Sequence, residues 1–196
     1  MADLTTEQKI KNAAREVFMK KGYSATRTRD IAEAANTNLA LVNYHFKSKE
    51  NLFRIIVEDI FNQFLGSLIP FLANTEISLD RKVEILVEEY TEVMIKNPDF
   101  PFFVINEMRN NKEILKNTLE EARNISIPVI KKQLEERNIQ MSVGNFIVNI
   151  ISLTLFPFVA QTLMESSKLI EKERFPEFIE ERKKLIPIWI KKLSEI

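Results

Sequence analysis

Apolar residues recur at helical spacing along almost the whole chain. Ile10, Ala13, Ala14, Val17 and Phe18 fall at i, i+3, i+4, i+7 and i+8, the stripe of an amphipathic helix. Thr5-Thr6-Glu7-Gln8 before them has the spacing of a capping box. Lys20-Lys21-Gly22 behind them places cations at the negative helix end and a glycine where the helix stops. Two short helices follow, from about Thr28 to Ala35 and from about Leu39 to Phe46, around the turn Asn36-Thr37-Asn38. Ser48 then caps a long fourth helix. Its apolar positions Leu52, Phe53, Ile56, Val57, Ile60, Phe61, Phe64, Leu65 and Leu68 predict that it ends before Pro70.

Farther on, the pattern predicts helices at Leu79–Lys96, Lys112–Arg137 and Val143–Met164, and at Glu177–Leu193, with a short aromatic segment from Phe100 to Arg109. Pro128 and Pro157 should bend their helices, because proline lacks a donor and crowds the preceding turn; Pro187 lies inside the last one. Strand-like alternation is scarce, so the expected fold class is all-α. Val143–Met164 is apolar on nearly every side and must be buried on most of them.

The stretch Thr26–Lys49 carries the chemistry. Thr28 is expected to cap the first short helix, with Asp30 near its positive end. Ile31, Ala34 and Ala35 form its predicted inner face. Asn36 suits the sharp turn because asparagine tolerates the left-handed conformation, and Asn38 is a good N-cap for the next helix. Val42 and Phe46, four apart, should point inward and leave Leu39, Ala40, Leu41, Asn43 and Tyr44 outside. Exposed leucines make sense against thymine methyl groups, and Asn43 could bond a base edge or a phosphate. Two short helices in this arrangement are a helix-turn-helix, whose second helix enters the major groove of DNA.

Thr28-Arg29-Asp30-Ile31-Ala32, Ala35 and the run Tyr44-His45-Phe46-Lys47-Ser48-Lys49-Glu50-Asn51-Leu52 resemble, without a gap, the DNA-binding motif of the TetR family of transcriptional regulators. Asn36 stands where that family usually has Gly, Thr37-Asn38 for Val-Ser, Ala40 for Gly and Asn43 for Tyr. The last two touch the reading surface and bear on the operator sequence. The resemblance is strong over about the first 60 residues; beyond them it is one of helical pattern and length.

The resemblance implies a three-helix DNA-binding domain over residues 1–48 and a helical ligand-binding and dimerisation domain over 49–196. The expected DNA-binding residues are Thr26, Arg27, Thr28, Arg29, Asn38, Leu39, Ala40, Leu41, Asn43, Tyr44, His45, Lys47 and Lys49. The basic ones would contact phosphate, adding affinity without sequence information. His45 reads equally as a DNA contact or as a partly buried helix residue. The expected homodimer joins through Val143–Met164 and Glu177–Leu193. The resemblance also implies an inducer held between the body helices, with Phe61, Phe64, Tyr90, Met94, Phe103, Met108, Phe146 and Phe158 as candidate lining. Such a pocket would favour an apolar or amphipathic small molecule, although aromatic stripes at helical spacing are also what a plain core needs. The implied function is a ligand-responsive repressor on a near-palindromic double-stranded DNA operator, with half-sites about 34–36 Å apart or a multiple of that. A constitutive regulator and a helical interaction module are the alternatives.

Composition narrows this further. The chain has 196 residues and a formal net charge of zero. The charge is uneven, however: residues 1–54 hold ten Lys/Arg against six Asp/Glu, and the remainder eighteen against twenty-two. A basic head on an acidic body fits contact with phosphate at one end. No cysteine is present, which removes disulfides and thiolate sites, and His45 is the single histidine. The carboxylate pairs Glu88-Glu89 and Glu120-Glu121 are adjacent and so diverge on a helix. No Gly-rich phosphate loop occurs. An enzyme, a metal site and a bound cofactor are therefore not expected. Met1–Thr5 lacks signal-peptide features, and the run Phe146–Leu163 is broken by Asn149, Ser152, Thr154 and Gln161, so no membrane span is expected and the cytoplasm is.

Overall fold

The computed structural model describes residues 4–110 and 112–194. Among them every regular element is a helix. In chain order these are α1 (Thr6–Ala25), α2 (Thr28–Ala34), α3 (Leu39–Phe46), α4 (Lys49–Ala73), α5 (Leu79–Lys96), α6 (Phe100–Asn110), α7 (Lys112–Glu136), α8 (Val143–Val159), α9 (Gln161–Ser166) and α10 (Phe175–Leu193). A 3-10 turn, Lys172–Arg174, precedes the last. The chain divides into two compact units: Met1–Phe64 with Phe102–Thr118, and Leu65–Pro101 with Leu119–Ile196.

In the first unit, α1 starts on Thr5, whose hydroxyl accepts from the Gln8 amide at 3.2 Å. Its regular path breaks at Gly22, where φ is 72° and ψ 171°, so the glycine does end the regular run although helical turns resume behind it. Ile10, Ala13, Ala14 and Phe18 are buried, as their spacing demands. Phe18 packs edge-on against Phe53 of α4, with centroids 4.9 Å apart, and Phe53 also meets Tyr23 and Phe103. Each fully buried phenylalanine contributes about 1.5–3 kcal/mol. The α4 stripe lies inward, with Leu52, Phe53, Ile56, Val57, Ile60 and Phe61 all buried. By length and hydropathy alone α4 could cross a membrane, but these residues bury that stripe inside the protein.

In the second unit α5, α8 and α10 pack on one another, with Val83, Leu86, Val87, Phe146, Ile150, Ile179, Ile186 and Ile190 in the core. Ile130 and Leu134 of α7 are buried as well. Arg137, the residue after α7, donates to Asp80 of α5 in two hydrogen bonds of 2.7 Å and ties the two helices. They are tied again by Lys82, which is almost wholly buried and donates to Gln133 Oε1 at 2.9 Å.

The pattern misplaced two helix ends. α4 runs past Pro70 to Ala73. Proline forfeits one bond, to the Gly66 carbonyl, but both residues lie near solvent so that water can replace it, and buried Leu68 anchors the turn. The expected single helix Val143–Met164 is two, α8 and α9, separated at Ala160 (φ −93°, ψ 5°). The break lies three residues after Pro157, where the ladder has already lost a donor.

Candidate DNA interface

The α2–α3 pair is built from local rules. Ile31 and Ala32 of α2 are buried. Of the two alanines expected inward with Ile31, Ala35 is half-buried and Ala34 is exposed, and in a helix of two turns the buried face follows Ile31 and Ala32 instead. Asn36 takes a φ of 49°, the left-handed turn expected of it. The Thr37 amide closes onto the Ala32 carbonyl at 2.9 Å, a helix-ending bond of the Schellman kind. Asn38 caps α3, its side-chain oxygen accepting from the Leu41 amide at 2.8 Å. Val42 and Phe46 are buried and fix the rotation of α3 about its axis.

That rotation leaves an open outer face. Leu39, Ala40, Leu41 and Asn43 are exposed, and Tyr44 is 80% exposed. His45 is half-buried, edge-on to the Tyr44 ring with centroids 5.2 Å apart. Arg27, Arg29 and Lys47 are exposed beside this face in sequence and carry its positive charge. Lys47 adopts a φ of 66°, unusual for a side chain with a Cβ; it turns the chain between α3 and α4. Ser48 then caps α4, accepting from the Asn51 amide at 3.1 Å, as its place in the sequence predicts.

Two expected phosphate-contact residues, Thr26 and Lys49, are placed differently, and Thr28 is released from its expected cap. The hydroxyl of Thr26 is buried and donates to the Gly22 carbonyl at 2.7 Å, satisfying a group the helix break would leave open. Thr28 is the first residue of α2 and not its cap. Arg27 occupies the cap position, and its amide donates to Asp30 Oδ2 at 2.9 Å. That bond, with the Lys21 ammonium 3.3 Å away, holds the Asp30 carboxyl below its ordinary pKa. Lys49 turns its ammonium onto the protein, donating to the carbonyls of Tyr23 at 3.0 Å and Thr26 at 2.9 Å, and lies 4.1 Å from the centre of the Tyr23 ring. Sequence reasoning missed the role of Asn51, whose side-chain amide donates to the Phe46 carbonyl at 3.1 Å. Nothing local signals the Lys49 contacts, which span more than twenty residues.

The candidate effector residues fall in different places. Phe61, Phe64 and Phe103 belong to the first unit, and Tyr90, Met94, Phe146 and Phe158 to the second. The Met108 side chain lies outside the described residues. Phe103 lines a cleft of 320 Å³ beside the Gly22 break. Phe146 lines one of 460 Å³ with Leu79, Val83 and Ile190, whose polar side is Asp80, Arg137 and Lys191. Met94 and Phe158 are buried. Burial around the Tyr90 hydroxyl pushes its pKa up to about 12. Among the described residues no group of three or more His, Cys, Asp or Glu is placed to hold a metal ion.

A capped short helix, a left-handed asparagine turn and a second helix anchored by two buried residues with its outer face open define a helix-turn-helix transcriptional regulator. Residues 10–56 match the model of the bacterial regulatory proteins of the tetR family. Over that stretch the chain carries the DNA-binding domain of this family, and the full-length relative it matches is a regulator of transcription and not an enzyme. The chain is 25% identical over 194 residues to that relative, the Bacillus subtilis protein named "Probable HTH-type transcriptional regulator YttP", covering 96% of this chain and 93% of that one. The HTH-type transcriptional regulator QacR of Staphylococcus aureus is 42% identical over 50 residues, 26% of this chain and 27% of QacR. Among solved structures, the transcriptional regulator FadR from Bacillus subtilis, in complex with stearoyl-CoA, superposes with a TM-score of 0.68 at 15% identity, covering 91% of this chain and 96% of FadR. At that identity the likeness is one of fold.

Proposed function

We propose that the protein is a homodimeric, effector-released repressor acting in the bacterial cytoplasm, and that α3 reads its operator. The observation that carries this is the outer face of α3. Leu39, Ala40, Leu41, Asn43 and Tyr44 stand exposed on a helix whose opposite face is locked by Val42 and Phe46. Leu39 and Leu41 are each more than a third exposed, and in a major groove that open part meets thymine methyls while Asn43 meets a base edge. Arg27, Arg29, Lys47, Thr28 and Tyr44 would contact phosphates, with His45 at the margin.

Dimerisation through α8 to α10 is supported by apolar side chains left outside. Val148, Ser152 and Phe156 follow one another at i, i+4 and i+8, all exposed, with Val148 at 60% and Phe156 at 63%. Leu163 and Ile188 are also at least half exposed. Large apolar side chains exposed together in this way support an association surface. An apolar or amphipathic effector is supported by the Phe146 cleft and by the stearoyl-CoA bound to FadR, a protein of the same fold.

The test is binding of the purified protein to DNA flanking its own gene across a salt series, against scrambled DNA of equal length. The reading expects specific binding at physiological salt with two subunits per site. Equal, salt-sensitive binding to both DNAs, also after selection from random sequences, would reduce the head to an electrostatic anchor.

A further inference from the structure

We propose that the first turn of α4 is a two-point clamp on the helix-turn-helix, in which Lys49 and Asn51 are positioning residues for DNA reading and Lys49 is not a phosphate contact. The proposal rests on the DNA-reading role of α3 proposed above.

Lys49 holds the way in. The break at Gly22 takes the carbonyls around it out of the regular ladder, and that of Tyr23 keeps only a long bond of 3.3 Å from the Thr26 amide. The Thr26 hydroxyl takes that of Gly22, and the Lys49 ammonium takes those of Tyr23 and Thr26. Thr26 immediately precedes Arg27, the cap of α2, so Lys49 fixes the point where the chain enters the helix-turn-helix. Two of its three N–H donors are committed there, and its charge lies over the Tyr23 ring, which favours a cation. An ammonium held in this way has little reach left for solvent-facing phosphate.

Asn51 holds the way out. Its side-chain amide donates to the Phe46 carbonyl at the end of α3, while its backbone N–H is taken by Ser48. The chain between these two points is the strained Lys47 turn, which would otherwise be free to relax. The two contacts come from residues 49 and 51, within one turn of one helix, and they bracket the whole span from Thr26 to Phe46. Whatever displaces the start of α4 therefore carries α2 and α3 with it as one body. The grip is through backbone carbonyls, so it is indifferent to the operator sequence and leaves readout to the outer face of α3.

The experiment uses the full chain with Lys49→Met, Lys49→Arg and Asn51→Ala. Without DNA, amide hydrogen exchange is compared at residues 27–46 and at the remote α5 helix. The clamp predicts faster exchange across 27–46 in Lys49→Met and Asn51→Ala with α5 unchanged, and partial recovery in Lys49→Arg, whose fork can reach both carbonyls. On the selected operator, Lys49→Met should lose on the order of tenfold in affinity. Its slope of log affinity against log salt should stay that of the unmodified protein, because no counterion-releasing contact is removed. A slope shallower by about 0.9 with unchanged exchange would make Lys49 a phosphate contact and overturn the proposal. Unchanged exchange and unchanged affinity would overturn it as well. If the unmodified protein binds no DNA specifically, the functional reading fails, while the exchange data still decide whether the clamp exists.

Discussion

Arg182 of α10 donates from Nη2 to the carbonyl oxygen of Leu153 in α8, at 2.8 Å. Leu153 lies four residues before Pro157, so its carbonyl faces the position where the helix has no N–H to offer. A side chain from the neighbouring helix replaces the missing donor. The guanidinium also lies 5.5 Å from the Phe178 ring centre and 5.2 Å from that of Trp189, which holds it in place. The proline is thus accommodated by tertiary structure, and α8 stays helical for two more residues.

Arg182→Ala should cost about 1.5–3 kcal/mol in denaturant unfolding, the range for a charged hydrogen bond. In a Pro157→Ala background the loss should shrink, because an alanine in place of the proline supplies the backbone donor itself. A double-mutant cycle with no coupling between the two positions would show that Arg182 acts through ring packing alone.

Asn43→Ala should relax base preference at one operator position, by about 1–3 kcal/mol of discrimination, without changing the salt slope. Arg29→Ala should do the reverse: weaker binding to all sequences and a slope shallower by about 0.9. Competition binding with single-base operator variants at two salt concentrations separates the two.

Lys47→Gly should split stability from binding. Glycine adopts the φ of 66° without a Cβ penalty, so the melting midpoint should rise by the equivalent of roughly 1 kcal/mol. DNA affinity should fall and the salt slope flatten, since one exposed cation is lost. A fall in both quantities would mean that the Lys47 side chain supports the turn.

If the proposed dimer forms through α8 to α10, Phe156→Glu and Ile188→Lys should leave a monomer in sedimentation velocity, with helix content retained. Both side chains are at least half exposed within one chain, so their replacement should disturb association before folding. Operator affinity should fall with the dimer, because two reading helices must be held at one spacing.

Two groups set opposite pH limits. The Arg137 guanidinium holds the Asp80 carboxyl below its ordinary pKa. Its stabilising contribution is therefore present above the unfolded value of about 3.9 and lost as pH falls through the folded one. Tyr90 is raised to about 12, so its folded form keeps a proton that the unfolded chain releases from about pH 10. Stability should fall between roughly pH 10 and 12, by on the order of 2 kcal/mol. Tyr90→Phe should remove that alkaline loss and Asp80→Asn should blunt the acid one, both read from unfolding free energy against pH.

Much of the architecture was legible in the residues because it is local. Periodicity located the helices; Thr5, Asn38 and Ser48 announced their starts, and Asn36 and Gly22 their turns. Each depends on neighbours within four positions. The faces of α3 followed as well, since Val42 and Phe46 are far more apolar than what surrounds them. Where the local signal was thin, the reading slipped. Alanine carries too little burial energy to orient α2, so Ala34 and Ala32 exchanged roles. A proline says only that a donor is missing; whether the helix stops there depends on who takes the orphaned carbonyl. Water can do so before Pro70, and Arg182 does so before Pro157, and only the folded chain decides which.

The destination of each long polar side chain was likewise outside the sequence's reach. Lys49 and Arg29 look alike as cations near a reading helix, yet Arg29 remains in solvent while Lys49 is drawn onto two backbone carbonyls more than twenty residues away. The sequence alone determined that this is a helical protein with a helix-turn-helix at its start, because caps, turns and apolar spacing act within a few residues. Tertiary structure decided which cations face outward and which hold the motif together, because that depends on backbone carbonyls brought near them only when the chain folds.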